Sequence, residues 1–167
     1  ADGVTEVLRA AREQLLLGAS QIKVMAGGGV SSSYDPLDVT QYTEPEVRAA
    51  VEAAENWGTY VMVHAYTPRA VQQAIRAGVK SIEHGHLLDE ETVAMMAEHD
   101  VWWSLQPFLE GPGAPPLPPA NQEKRRQVND GSLTTHWHRG WRRSWRAFRM
   151  RHAAPYPRSV VFPPPQA

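Results

Sequence analysis

The sequence contains no cysteine and no apolar run of the length that a membrane-spanning helix requires, about eighteen residues. Without cysteine the chain has neither a disulfide framework nor a thiolate metal site, so any metal must be bound through nitrogen and oxygen atoms. The first residues, ADGVTEVLRAAREQ, lack the order of a signal peptide. These features predict a cytoplasmic protein without a membrane partner.

Positive charge is scarce over most of the 167 residues, a length that suits one ordinary domain. Residues 1–120 contain 7 Lys and Arg against 16 Asp and Glu, whereas residues 121–167 contain 10 against 2, with three of the six tryptophans. A proline-rich connector at about 111–120 marks the change. We predict a folded domain over residues 1–120 and a basic tail rich in Trp, Arg and Pro over residues 121–167.

Helical patterns alternate with short apolar runs in the first part of the chain. Thr43 and Glu46 form a capping-box pattern, Pro68 follows the N-cap candidate Thr67, and Asp89 can cap a further helix. Helices are predicted over residues 4–18, 44–57, 68–77 and 90–99, and strands over residues 21–26, 59–64, 79–84 and 101–106. This alternation predicts an α/β fold with a parallel sheet and crossover helices.

Polar residues interrupt three successive predicted strands at similar distances from the preceding glycine: Lys23, His64 and His84. The carboxyl ends of parallel strands meet at one face, where active sites form, so we expect these side chains to converge. Side-chain alternation predicts Met62 and His64 on one side of their strand, and Ile82 and His84 on the corresponding side of the next. With strands about 5 Å apart, the two imidazoles could share a divalent ion such as zinc, at about 2 Å from each nitrogen.

Each of these residues also has a simpler interpretation. A histidine at a strand end is more often hydrogen-bonded to a backbone group than bound to a metal. Lys23 alone is typical of an ion-paired lysine or of one whose stem crosses apolar surface. Both interpretations stay open from the residues themselves.

Three segments resemble the amidohydrolase superfamily, in particular its imidazolonepropionase-like and Xaa-Pro dipeptidase-like branch: IKVMAGGGVSSSYDPLD, VHAYTPRAVQQAIRAGVKSIEHGHLLDEET and WWSLQPFL. The resemblance covers about residues 2–130. It implies part of a (β/α)8 TIM barrel, with the four predicted strands corresponding to about strands four to seven. It also implies that Lys23 is carboxylated and bridges two divalent metals, usually zinc, and that His64 and His84 each bind a metal.

The same resemblance implies hydrolysis of a C–N bond in a dipeptide-like or cyclic amide substrate by a metal-activated water. Tyr66 is similar to a substrate-facing tyrosine of the relatives, with packing at the strand mouth as the alternative. His86 is expected to be solvated or to support a ligand. The loop of residues 27–42 is long for a connection of this kind, which favours a binding role.

Parts of the family pattern have no counterpart in the sequence. The histidine pair of the first barrel strand and the aspartate after the eighth are missing, HWH at residues 136–138 is in the wrong place, and a full barrel needs about 250 residues. We therefore expect a truncated reading frame whose isolated chain lacks the full ligand set. Exposed sheet edges and an incomplete core predict a homo-oligomer.

The tail allows other interpretations. Its composition favours a shifted reading frame or a disordered segment beyond about residue 130. The alternative is a nucleic-acid-binding segment in which aromatic residues lie among arginines: Trp137, Trp141, Trp145 and Phe148. A further possibility is a catalytically incomplete fragment that acts only as an assembly module.

Overall fold

The computed structural model describes residues 1–105 and 116–131, in which strands and helices alternate along the chain. The strands are β1 (Ile22–Met25), β2 (Val61–Ala65), β3 (Ser81–His84) and β4 (Trp102–Ser104), and the helices are α1 (Val4–Leu16), α2 (Glu44–Asn56), α3 (Pro68–Ala77), α4 (Glu90–Glu98) and α5 (Pro119–Gly131). The strands form one sheet in the order β1-β2-β3-β4, and each neighbouring pair is parallel. The predicted α/β class and parallel sheet are confirmed.

The caps predicted from the sequence start two of the helices. The Thr43 N–H and hydroxyl each donate to Glu46 Oε2 at 2.7 Å at the start of α2. The Asp89 carboxylate accepts a hydrogen bond from the Thr92 N–H at 2.8 Å at the start of α4. These side chains satisfy polar groups that a helix N-terminus otherwise leaves without partners.

The core lies between the helices and one face of the sheet. Val61, Val63 and Ile82 are at most 1% exposed and belong to this core. Ile82 pairs with Val63 in the ladder, and Glu83 pairs with His64. The prediction that Ile82 shares the side of His64 was therefore wrong, because the strands align one residue away from the assumed register and a one-residue shift exchanges the faces.

The other face of the sheet carries polar and exposed side chains. Lys23 pairs with Met62, and His64 pairs with Glu83, so these four residues point to the same side. Lys23 is exposed, whereas Met62 and Glu83 are half-buried. Helices α1 to α4 pack against the opposite face.

Helix α5 was not predicted from the sequence. Its only buried residues are Asn121 and Val128, so it lacks a continuous apolar stripe. Val128 packs with Val30, Leu37 and Tyr66 in a second, small apolar cluster. Residues 121–131, assigned to the tail, are thus helical and packed against residues of the first domain.

The remainder of the tail, residues 132–167, and residues 106–115 of the strand end and connector lie outside the described residues. The domain boundary at about residue 120 and the shifted reading frame stay predictions. In the described ranges, no helix is long and apolar enough to cross a membrane.

Candidate metal site

Two histidine rings lie side by side at the carboxyl ends of β2 and β3. The ring centroids of His64 and His84 are 4.7 Å apart, with an angle of 69° between the planes. His84 pairs with Ala65, whose side chain faces the core, so regular alternation would point His84 away from His64. The regular strand ends at His84, which has a left-handed backbone with φ 77°, and its ring lies beside His64.

Backbone contacts hold both strand ends in place. The indole nitrogen of Trp103 donates to the carbonyl of His84 at 2.9 Å. The carbonyl of His64 accepts from the N–H groups of Ala26 and Gly27 at 3.0 and 3.1 Å. The loop after β1 and the strand β4 therefore fix the backbone that carries the two imidazoles.

Lys23 lies on the same face and within electrostatic range of both rings. Burial, and to a smaller extent the neighbouring His64, His86 and Lys23, together lower the pKa of His84 to about 4. Burial also lowers the pKa of His64, and Lys23 adds to this effect. Both imidazoles are thus neutral at pH 7, the form that binds a metal.

The protonated nitrogen of His64 follows from its hydrogen bond to the loop. Nε2 of His64 lies 3.0 Å from the carbonyl oxygen of Gly28. A carbonyl can only accept, so Nε2 carries the proton and the lone pair is on Nδ1. Histidine ligands of metals ordinarily donate their second ring N–H to a carbonyl or carboxylate in this way. The hydrogen-bond interpretation of His64 and the ligand interpretation are therefore compatible.

The donor atoms of this cluster fit a divalent cation in part. Two adjacent neutral imidazoles are ordinary zinc ligands. The Lys23 ammonium repels a cation. Lys23 can therefore serve as a metal ligand only as a carbamate, which supplies two oxygen atoms. Over residues 1–105 and 116–131, no group of three His, Asp or Glu side chains is placed to hold a metal. The side chains of this cluster that could hold a metal are those of His64 and His84, together with Lys23 if it is carboxylated.

Two further ring residues adjoin the cluster. Tyr66 is 2% exposed, and its ring centroid lies 4.8 Å from that of His64 and 5.3 Å from that of His84. Burial raises the pKa of the Tyr66 phenol well above its ordinary value. Its position supports the packing interpretation, and a contact with substrate stays a prediction. His86 is 3% exposed, so it is buried rather than solvated.

A loop of residues 27–42, called here the glycine-rich loop, covers His64. The N–H of Gly29 donates to Asp35 Oδ2 at 2.9 Å, and Gln41 Nε2 donates to the same oxygen at 2.9 Å. Burial opposes ionisation of Asp35, but hydrogen bonds from Ser32 and from the Gly29 N–H outweigh it and lower the pKa of the carboxyl. Asp35 is therefore an anion that organises the loop.

A cavity of about 580 Å³ lies beside this loop, and its lining includes Leu37, Thr67, Leu87 and Lys124. Sequence reasoning identified the loop by its length but missed Gly28, Asp35 and the part played by α5. No spacing rule connects residues so far apart in the chain, so the length of the loop was the only sequence signal.

A sheet of parallel strands with helices on one face, and with its polar cluster at the carboxyl strand ends, is a segment of a (β/α)8 barrel. Residues 1–120 match the amidohydrolase family, and the chain belongs to this family. The predicted resemblance and the partial barrel are confirmed.

Three known proteins are similar to this chain. The chain is 42% identical in sequence to a prolidase whose crystal structure contains N-methylphosphonate-L-proline. The two structures superpose with a TM-score of 0.75, over 80% of this chain and 34% of the prolidase chain. A crystal structure of a Xaa-Pro dipeptidase with bound methionine is 37% identical with a TM-score of 0.55, covering 62% of this chain and 25% of the other. Ochratoxinase of Aspergillus niger is 42% identical over 101 residues, which is 60% of this chain and 21% of the relative. The chain thus spans about a fifth to a third of the length of these relatives.

Proposed function

We propose that this chain forms part of a metal-dependent amidohydrolase that cleaves the C–N bond of a dipeptide-like or cyclic amide substrate. The observation that carries the proposal is the pair of neutral imidazoles of His64, which is buried, and His84, which is half-buried, side by side at the carboxyl ends of parallel strands and on the same face as Lys23. Similarity to a prolidase and to a Xaa-Pro dipeptidase supports a dipeptide-like substrate.

In this proposal His64, through Nδ1, His84 and a carboxylated Lys23 hold one or two divalent ions, with zinc as the expected metal. Such an ion supplies Lewis acidity and a water molecule of lowered pKa. The carbonyl of Gly28 holds the proton of His64 on Nε2 and so keeps Nδ1 available. The buried ring of Tyr66 supports the imidazole of His64 from the side, and its proposed contact with substrate requires the glycine-rich loop to move.

The remaining ligands of the family pattern are not found in this sequence. We therefore include the predicted homo-oligomer in the proposal. The cytoplasmic location is proposed separately, from the sequence features given above. The tail residues that would bind nucleic acid lie outside the described residues, and no observation on the described residues favours that function or a purely assembling role.

Metal analysis tests the proposal directly. The full chain is loaded with zinc, dialysed and analysed by elemental mass spectrometry, alone and as His64→Ala, His84→Ala and Lys23→Ala. Each variant is expected to lower zinc affinity at least about tenfold, since loss even of groups that only orient a ligand costs about 10- to 100-fold. His99→Ala, a change at an exposed histidine, serves as the control. Unchanged zinc content in all three variants would overturn the proposal.

A further inference from the structure

Lys124 of α5 binds the glycine-rich loop through three backbone carbonyls. Its Nζ donates to Gly29 O at 3.2 Å, to Ser32 O at 2.7 Å and to Asp35 O at 2.5 Å. An ammonium has three protons, so these carbonyls use all of them. The side chain is 14% exposed, and burying a charge is costly unless it is fully hydrogen-bonded. The loop therefore forms a receptor shaped for this ammonium.

Asn121 makes a second set of bonds to the same loop from one turn earlier in α5. Its Nδ2 donates to Val30 O at 2.7 Å and to Ser32 O at 2.9 Å, and the residue is 1% exposed. Four carbonyls of the loop thus accept from α5, about 90 residues further along the chain. Without these donors, the loop would lose every bond that these carbonyls make to α5, including the buried bond from Asn121 to Val30 O.

A single peptide group transmits the position of the loop to His64. The peptide between Gly28 and Gly29 presents its N–H to Asp35 Oδ2 at 2.9 Å and its carbonyl to His64 Nε2 at 3.0 Å. Because the peptide is planar, holding its N–H direction also holds its carbonyl direction. Lys124 in turn holds Asp35, because its Nζ donates to the Asp35 carbonyl and lies 3.4 Å from Asp35 Oδ1. A continuous set of contacts therefore runs from α5 to the imidazole.

We propose that Lys124 and Asn121 are positioning residues that hold the glycine-rich loop in the form in which the Gly28 carbonyl fixes the tautomer and orientation of His64. The value of this arrangement to a metal site rests on the proposed function, in which His64 is a ligand. The positioning itself is a property of the metal-free chain and can be tested separately.

Nitrogen-15 NMR of the histidine rings provides that test. The full chain is freed of metal with a chelator and measured near pH 7.5, where His64 is neutral, and its signals are assigned by loss in His64→Gln. Wild-type protein is expected to show a single tautomer with the proton on Nε2. In Lys124→Met, the two ring-nitrogen signals of His64 are expected to move towards each other as the tautomers mix. Arg126→Met is the matched control, because Arg126 lies on the same helix, is 62% exposed and pairs with Glu123.

Chemical rescue separates positioning from general damage to the fold. In Lys124→Ala, added propylammonium is expected to restore the single tautomer, whereas tetramethylammonium, which has no N–H group, does not. Asn121→Leu is expected to mix the tautomers in the same way if Lys124→Met fails to fold. An unchanged His64 spectrum in folded Lys124→Met would overturn the inference, as would equal effects of Arg126→Met. Neither result depends on metal content, so the proposed function could fail while this inference stands.

Discussion

Gly28 occupies a position where no side chain fits. A Cβ built on Gly28 would lie 1.8 Å from the carbonyl oxygen of Pro36, which is backbone and cannot rotate away. A Cβ on the neighbouring Gly27 would lie 3.4 Å from the Cβ of Ala70, an ordinary contact. The carbonyl of Gly28 is also the acceptor for His64. Position 28 therefore requires glycine because there is no space for a side chain, and the carbonyl of this glycine orients the candidate ligand His64.

Gly28→Ala is accordingly expected to displace the loop from His64 and to weaken zinc binding about 10- to 100-fold, the usual cost of losing a group that orients a metal ligand. Isothermal titration of the metal-free chain with zinc measures the effect. Gly27→Ala is the control and is expected to bind zinc within about a factor of two of wild type, since ordinary contact leaves the loop in place. Equal affinities for the two variants would contradict the role assigned to the loop.

Among individual residues, the sequence predicted the side chains of the candidate site better than the groups around them. Lys23, His64 and His84 stand out because polar residues interrupt apolar runs. The structure places Lys23 and His64 on the same face of the sheet and the ring of His84 beside that of His64, although Lys23 is the second residue of β1 and lies level with Met62. The expected alternation was nevertheless wrong for Ile82, because the register between neighbouring strands is set by packing that a single strand does not reveal. The Gly28 carbonyl was not predictable, because its contact with His64 depends on a loop of irregular conformation.

Among the elements, α2 has the most complete cap. The Glu46 carboxylate accepts hydrogen bonds from the Thr43 hydroxyl and N–H and, at 2.8 Å, from the N–H of Gly3, which precedes α1. These bonds, the Thr43 hydroxyl first, lower the pKa of Glu46 below its ordinary value of 4.5. One carboxylate thus joins the starts of two helices and prefers its charged form in the folded protein.

The stability that Glu46 contributes should depend on pH with a definite sign. Because the folded-state pKa is lowered, the contribution is complete above about pH 4.5, the unfolded value, and is lost as the pH falls through the folded value. Glu46→Gln is expected to lower the melting temperature by several degrees at pH 7, and the two proteins are expected to converge in acid. Calorimetry from pH 7 down to acid pH measures the difference in melting temperature between the two proteins.

Glu55→Gln is the control for that experiment, because Glu55 lies near the other end of α2 and is exposed. It removes a charge without removing a bond to the backbone, so little change in melting temperature is expected at any pH. A difference in melting temperature between wild type and Glu46→Gln that increased in acid would contradict the assigned hydrogen bonds.

Element prediction succeeded where caps and periodicity agreed. Capping residues and helix-ending glycines located α1 to α4, and Gly78, just after α3, adopts the expected left-handed conformation with φ 96°. The strands are shorter than predicted, because residues such as Thr59 and Val79 donate their N–H groups back to Ala54 and Ala74 of the preceding helices. Helix α5 was missed, because polar contacts from Asn121 and Lys124 hold it in place more than an apolar stripe does.

In the described part of the chain, helices α1 to α4 pack on one face of the four-stranded sheet. Among the described residues, β1 and β4 each pair with a neighbour on a single side, and Met25 and Trp102 on the polar face are 40% and 37% exposed. In a closed barrel this face would be the interior. The polar cluster therefore lies on the surface that the family's complete fold encloses, in keeping with a chain that spans 34% of the prolidase chain it matches.

Anomalous diffraction at the zinc edge, on crystals of the zinc-loaded chain, tests the central claim most directly. The expected result is a peak on the polar face of the sheet, about 2.0–2.1 Å from a ring nitrogen of His64 or His84, with density for a carbamate on Lys23. Nδ1 should be the coordinating atom of His64, because Nε2 donates to Gly28. Zinc bound only at other histidines would contradict the account. So would the absence of a peak in crystals when the same protein binds zinc in solution.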